Sequence, residues 1–282
     1  MATRTATLAL CAALLFTQST RADDQAGQGD FDKALAVKLT AESLDELTEV
    51  VELCQSALDK GLDKENTAFA KQMLAATLVQ RSELVSAAML QSLGGEQGVQ
   101  RFARLRQIAI ADLERALRHQ PKLAEAHYQL ARLFALPLGG DRSRATKEVE
   151  EAIQNAGDDD ELKGKALVLR GSLQTDPQRR LADFTQALQV DRTCVEALRA
   201  RGTHYLEQSK PNEALADFAA AIKLDPTHAP TYEVLGVAQA TLEKYDEALV
   251  SLGKAIELAE GSPFAYVHRA RIHLLRNDAK AA

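Results

Sequence analysis

Apolar residues return along this chain with a period close to 34, and inside each period they return at helical spacing. An Ala followed by Leu or Ile recurs at Ala116-Leu117, Ala152-Ile153, Ala187-Leu188, Ala221-Ile222 and Ala255-Ile256, in steps of 36, 35, 34 and 34. Three residues before each Ala stands a larger apolar residue: Leu113, Val149, Phe184, Phe218 and Leu252. A second series of small residues, Ala131, Gly171, Gly202, Gly236 and Ala270, marks another helix in each period. Two series that keep step predict a repeat of helix pairs, and such a repeat decides the architecture before any motif does.

The clearest period runs from Val195 to His228. Leu198, Gly202 and Tyr205 share one face of a first helix, at spacings of four and three. Lys210, Pro211 and Asn212 break the chain, with Pro at a position that suits a helix start. Ala214, Phe218 and Ala221 line a second helix, which ends at Asp225-Pro226 because the residue before Pro is pushed out of helical space. The next period repeats the arrangement with Tyr232, Leu235, Gly236, Tyr245, Ala248, Leu252 and Ala255. Gly202 and Gly236 let paired helices approach closely, and Phe218 and Leu252 fill the space beside them.

These residues give the chain a pattern that resembles the tetratricopeptide repeat family, with two consecutive matches of 34 residues. Weaker copies extend it. Gly171, Phe184 and Ala187 fit upstream, in a unit whose loop through Thr175 to Gln178 closes about three residues early and where Arg180 and Arg192 replace a small residue and a Pro. His127, Leu130, Ala131, Phe134, Ala145 and Ala152 form the unit before it, with a longer loop through Pro137, Gly139 and Gly140. Ala109, Leu113, Ala116 and Pro121 resemble the second helix of an earlier one. The resemblance implies an all-α fold of helix-turn-helix repeats stacked into a right-handed superhelical solenoid over residues 99–282, with its last unit incomplete.

Residues 40–98 read as helical but less regular. Leu44 to Lys60 predicts an amphipathic helix capped by Gly61, and Asn66 to Ser92 a long helix broken by Gly94, Gly95 and Gly98. Residues 23–39 read as a flexible polar lead-in. Phe264 to Arg276 begins a further first helix whose Ile272, Leu274 and Leu275 give it an apolar surface, either as an imperfect cap or as part of a longer protein.

Residues 1–22 read as a signal peptide. Arg4 supplies the positive end and Ala6 to Phe16 the apolar stretch, and Thr20 and Ala22 are the small residues before a cleavage point at Asp23. The apolar stretch is too short to span a bilayer comfortably. The protein is thus expected to be exported, periplasmic or secreted, with no integral membrane segment in the mature chain. Cleavage removes two Arg and no acid, which takes the formal net charge from −6 to −8. That balance disfavours nucleic acid as a partner. Of three Cys, Cys54 and Cys194 remain; they read as two small buried residues rather than a disulfide.

Candidate chemistry is sparse. The sequence has no zinc-protease, nucleophile-elbow, paired Cys-x-x-Cys or calcium-loop motif. Gly157 and Gly164-Lys165 imitate a phosphate loop, but six residues separate the glycines where four are needed, and Asp158, Asp159 and Asp160 would repel phosphate. His268 and His273 are five apart on one helix and point in different directions. His119 suits a helix C-terminus, and His204 reads as a groove or surface residue. No catalytic residue, metal site or cofactor is expected, and the chain reads as no enzyme.

What the resemblance implies is a protein or peptide partner held as an extended segment or helix against the first helices. The matching inward positions are Glu125, Tyr128, Gln129 and Arg132, then Arg199, Thr203 and Leu206, then Glu233, Val237 and Thr241, then Val267, His268 and Arg271. The carboxylate clamp of chaperone-binding relatives needs Lys and Asn on this wall. Here Arg132, Thr203, Val237 and Arg271 stand there, so an amphipathic or acidic-apolar segment fits better. The expected function is a noncatalytic interaction scaffold. The rival is a recognition module of an exported enzyme whose catalytic part lies beyond residue 282 or on another chain. Self-association through the C-terminal helix is a third expectation.

Overall fold

The computed structural model describes residues 26–91 and 95–276, so the signal-peptide expectation at residues 1–22 lies outside the described residues. The described chain holds thirteen α-helices and no strand. It divides into two compact units, 26–155 and 156–276.

Unit 1 contains α1 (Gln28–Lys38), α2 (Leu44–Lys60), α3 (Lys64–Gln91), α4 (Gly95–His119), α5 (Ala124–Ala135) and α6 (Arg142–Asn155). Each helix packs on the next. Helix α2 has the bounds its periodicity predicts. Ser43 caps it by accepting the Glu46 amide, while the Glu46 carboxylate returns to the Ser43 amide at 2.9 Å, and Gly61 ends it at φ 98°.

Two expectations fail here. Gln28–Lys38 is a helix rather than a flexible lead-in: its polar composition hides Phe31 and Ala34, three apart and both buried, with Phe31 edge-on to Phe69 at 5.6 Å. The long helix does end at Gln91 and a new one opens at Gly95, at φ 66°, but Gly98 does not break the chain: it lies in the first turn of α4, where a Gly costs least because few helical hydrogen bonds depend on it. The anticipated boundary at residue 98 therefore falls inside a helix.

Unit 2 contains α7 (Asp160–Leu173), α8 (Pro177–Val190), α9 (Val195–Glu207), α10 (Pro211–Leu224), α11 (Ala229–Thr241), α12 (Tyr245–Leu258) and α13 (Pro263–Leu275). The helices pair as α7 with α8, α9 with α10 and α11 with α12, and each second helix also packs on the first helix that follows. First helices touch the next first helix in sequence. Second helices make no comparable contact with one another among the described residues, so in unit 2 the first helices form one continuous wall.

The small residues stand where close approach needs them. A Cβ placed on Gly171, Gly202 or Gly236 would lie 2.6, 2.7 or 2.8 Å from the side chain of Phe184, Phe218 or Leu252. The unit that reads as compressed is short for a specific reason. Its turn has the same three residues as the others, but α7 stops two residues after Gly171 where α9 continues for five after Gly202. Asp176 precedes Pro177, takes an extended conformation and caps α8 through the amides of Gln178 and Arg179.

The turns after α9 and α11 each contain a non-glycine residue in the left-handed region, Ser209 at φ 56° and Glu243 at φ 60°. These are equivalent positions. Each lets the next amide, Lys210 or Lys244, donate back to the carbonyl of Tyr205 at 2.8 Å or Gln239 at 2.9 Å. Glu243→Gly is expected to raise the stability of unit 2 by about 0.5 to 1 kcal/mol by removing the Cβ crowding of that conformation. A chemical-denaturation midpoint that falls in this variant would count against the reading.

Candidate partner-binding faces

In unit 1 the four anticipated residues lie on α5 and split into two groups. Gln129 is 6% exposed and is a tie between helices, not a contact surface. Its Oε1 accepts Ser82 Oγ at 2.6 Å, and its Nε2 donates to Glu83 at 2.7 Å and Glu125 at 3.1 Å. Glu125 is thereby drawn into the same tie. Packing of the carboxylate and the nearby Glu125 charge push the Glu83 pKa up. Arg132 remains exposed, with its guanidinium 5.8 Å above the half-buried Tyr128 ring. The resemblance placed Gln129 on the open side because a matched position says nothing of what a neighbouring helix brings. The extra length of α3 is what covers that residue.

In unit 2 the anticipated positions lie on α9, α11 and α13, the wall of first helices. Arg199 is half-buried and paired with Asp225 at 3.5 Å, which leaves Thr203 exposed beside a half-buried Leu206. Glu233 is buried and accepts Ser262 Oγ, the residue before α13, so it holds α11 and α13 together rather than facing solvent. Val237 is half-buried and Thr241 exposed. On α13 Val267 is 64% exposed and Arg271 is exposed, while His268 leans on the Phe264 ring at 4.2 Å. Burial and the neighbouring Arg271 hold the His268 pKa below its ordinary value, so it is neutral at pH 7. The open wall is therefore Thr203, Val237, Thr241, Val267 and Arg271, continued by Phe264 and Leu274.

His204 is not a groove residue. It is 3% exposed, points at the preceding pair and meets the Phe184 ring edge-on at 6.3 Å. Burial lowers its pKa.

One set of residues escaped the sequence reading. The residue four before each repeated Ala is Asp112, Glu148, Asp183, Asp217 or Ser251, and each binds a side chain of its paired helix. Asp112 takes Arg81 at 2.8 and 2.5 Å, Asp183 takes Arg170 at 3.1 and 2.5 Å, and Asp217 takes Arg201 at 2.8 and 2.7 Å. Glu148 meets His127 at 2.7 Å, and Ser251 donates to Gln239 at 2.7 Å. The signal was present, since these residues keep the same steps as the Ala series.

The His127 member is sensitive to pH. Its Nδ1 faces Glu148 at 2.7 Å and its Nε2 faces the Pro121 carbonyl at 3.0 Å, so both ring nitrogens meet acceptors and only the imidazolium satisfies them. Burial alone would lower the pKa, but the hydrogen bonds to Glu148 and Pro121 and the Glu148 and Glu151 charges outweigh it and raise it above 6.5. A raised folded-state pKa means stability fully present below about pH 6.5 and lost as pH rises through the folded value. Unit 1 is expected to lose stability across that window, and His127→Gln to flatten the dependence. Hydrogen exchange of α5 and α6 against pH measures it.

Cys54 and Cys194 are both buried thiols without a disulfide. Burial pushes the Cys54 pKa up to about 12, which leaves it no thiolate character near neutrality. Among the described residues no group of three or more His, Cys, Asp or Glu could hold a metal ion, and no helix is long and apolar enough to cross a membrane.

The repeated pairs and the wall of first helices define an all-α helical-repeat protein. Residues 176–229 and 199–265 match the family model of the tetratricopeptide repeat, so this stretch carries tetratricopeptide repeats. The structure of Pseudomonas aeruginosa pilF is similar at 17% identity and a TM-score of 0.55, over 71% of this chain and 88% of that one. TTC0263, a thermophilic tetratricopeptide repeat protein of Thermus thermophilus, is similar at 20% identity and a TM-score of 0.48, over 68% and 99%. YrrB, a tetratricopeptide repeat protein with an unusual peptide-binding site, is similar at 21% identity and a TM-score of 0.46, over 68% and 90%. No curated protein matches the sequence.

Proposed function

We propose that the protein is a noncatalytic interaction scaffold that holds a partner peptide or helix on the first-helix wall of unit 2. The observation that carries this reading is the open row Thr203, Val237, Thr241, Val267 and Arg271. It is a mixed apolar and basic strip presented by three successive first helices that touch one another. Such a strip suits an amphipathic segment with acidic residues, because apolar anchors give affinity and Arg271 selects charge. The residues that bind the wall together, Glu233 and Arg199, are spent on internal pairs and set its geometry instead. Residues 1–22 direct this scaffold out of the cytoplasm, to the periplasm or beyond.

A photo-crosslinking residue at Thr203, Thr241 or Val267 is expected to trap the same partner, while one at Val250 on the outer side of α12 traps none. Equal trapping from both sides would sink the proposal. Val267→Asp with Arg271→Glu should weaken partner capture about tenfold or more. Export is tested separately, by N-terminal sequencing of the protein from a fractionated cell: Asp23 is expected as the first residue.

A further inference from the structure

The charged residues on helices α2 and α4 of unit 1 divide into those the unit uses and those it leaves over. Glu46 serves the Ser43 cap, Lys60 pairs with Asp30, Asp112 with Arg81, and Glu114 with Arg144. Arg106 donates to the Leu133 carbonyl. Left over on α2 are Asp45, Glu49, Glu52 and Asp59, all exposed and all acidic. Left over on α4 are Arg101, Arg104 and Arg118, all exposed, with the half-buried Arg115 between them. Arg115 donates to Gln55 Oε1 at 2.8 Å, and Gln55 Nε2 donates to Asp59 at 2.7 Å. None of these eight charges forms an ion pair among the described residues.

The leftover charges form two stripes of opposite sign. On α2 the acids follow at steps of four, three and seven, which keeps them on one side of the helix. On α4 the four Arg follow at steps of three, eleven and three, again on one side. The two helices face each other across an open groove of about 460 Å³, lined by Val51, Glu52, Gln55, Asp59 and Arg115. They run in the same direction, since Arg81 reaches Thr48 and Asp112 while Arg115 reaches Gln55 further along both. The spans also match. Asp45 and Asp59 are 14 residues apart, as are Arg104 and Arg118, about 21 Å along each helix.

We propose that this face of unit 1 docks on the same face of a second copy of the chain. A two-fold axis between α2 and α4 lays each α2 antiparallel on the α4 of the other copy. The matched spans then set Asp45 by Arg118, Asp59 by Arg104 and Glu49 by Arg115 across the interface, and the axis repeats all three pairs. A foreign partner would need both signs side by side at these spacings, whereas a second copy carries them already. The paired charges are exposed, so each pair is weak and screened by salt, and the docking is reversible. The contact uses unit 1, whereas the strip proposed for a peptide lies in unit 2.

Sedimentation velocity of the full chain, at concentrations up to about 500 µM, is expected to show a monomer–dimer equilibrium. Raising salt from about 50 to about 500 mM should weaken it about tenfold or more. Asp45→Lys with Asp59→Lys makes the ends of both stripes basic, and Arg104→Glu with Arg118→Glu makes the ends of both acidic. Each double variant alone is expected to stay monomeric over the same range. An equimolar mixture of the two should form a heterodimer, because each reversed stripe then faces its opposite. A variant that merely fails to fold cannot regain a partner in this way. A native chain that stays monomeric throughout, as it would if its own residues covered the stripes, would overturn the proposal. So would a dimer that survives both charge reversals, or a mixture that remains monomeric.

Discussion

Phe218→Ala is expected to lower the stability of unit 2 by about 3 to 5 kcal/mol, the largest effect of any single truncation in the repeat. Phe218 is fully buried, and its ring joins two layers at once. It covers Gly202 in its own pair and packs with Ala214 and with Ala238 of the next first helix, beside Tyr205, Leu206, Val234 and Leu235. Truncation thus removes apolar burial and leaves a cavity at the seam between successive pairs, where neither helix can collapse without unstacking the other. Phe218→Leu is the control. Leu252 faces Gly236 at the equivalent place, so the fold accepts Leu there, and the cost should stay below about 1.5 kcal/mol. Urea unfolding followed by circular dichroism reads both, with an unchanged slope showing that the same surface unfolds. A loss under about 1 kcal/mol for the Ala variant would mean that the seam is held elsewhere.

How much of this was legible in the sequence depends on whether a feature repeats. Gly202, Phe218 and Ala221 recur at fixed steps, and the close approach they predict is what the structure shows. Helix α2 was legible to the residue because its amphipathic period runs from Leu44 to Lys60 and Gly61 closes it; the Ser43–Glu46 cap at its start came from the structure. Helix α1 was not. Its two buried positions are too few to stand out from polar neighbours, and it is helical because α2 and α3 offer Phe31 a site beside Phe69. The partner-facing row was legible only in part, for a physical reason. Spacing along one helix locates a direction, whereas exposure depends on what the neighbouring helix brings. Gln129 and Glu233 point the anticipated way, but Ser82, Glu83 and Ser262 arrive from other elements and occupy them. The carboxylates before Leu113, Val149, Phe184 and Phe218 were visible as a series. Their role needed the structure, because the distance from Arg to acid along the chain changes from pair to pair with the length of the first helix.

That variable spacing sets up the second large effect, at Asp217. The Arg201 guanidinium donates two hydrogen bonds to this carboxylate, at 2.8 and 2.7 Å, with the Asp217 side chain 7% exposed. These bonds and the Asp217 charge raise the Arg201 pKa even though burial opposes it. Asp217→Ala is expected to cost about 3 kcal/mol, because it strands a guanidinium between α9 and α10 with nothing to replace its lost hydration. The pair itself contributes far less than that figure. Replacing both partners by apolar residues of similar length, Arg201→Met with Asp217→Leu, should return the chain to within about 1 kcal/mol of the native stability. A double-mutant cycle in urea therefore separates two roles. Strong recovery in the double variant would show that the acid is kept to match the Arg and fix the register of the two helices. A double variant as unstable as Asp217→Ala would show instead that the ion pair itself drives their pairing, and the register argument would fall.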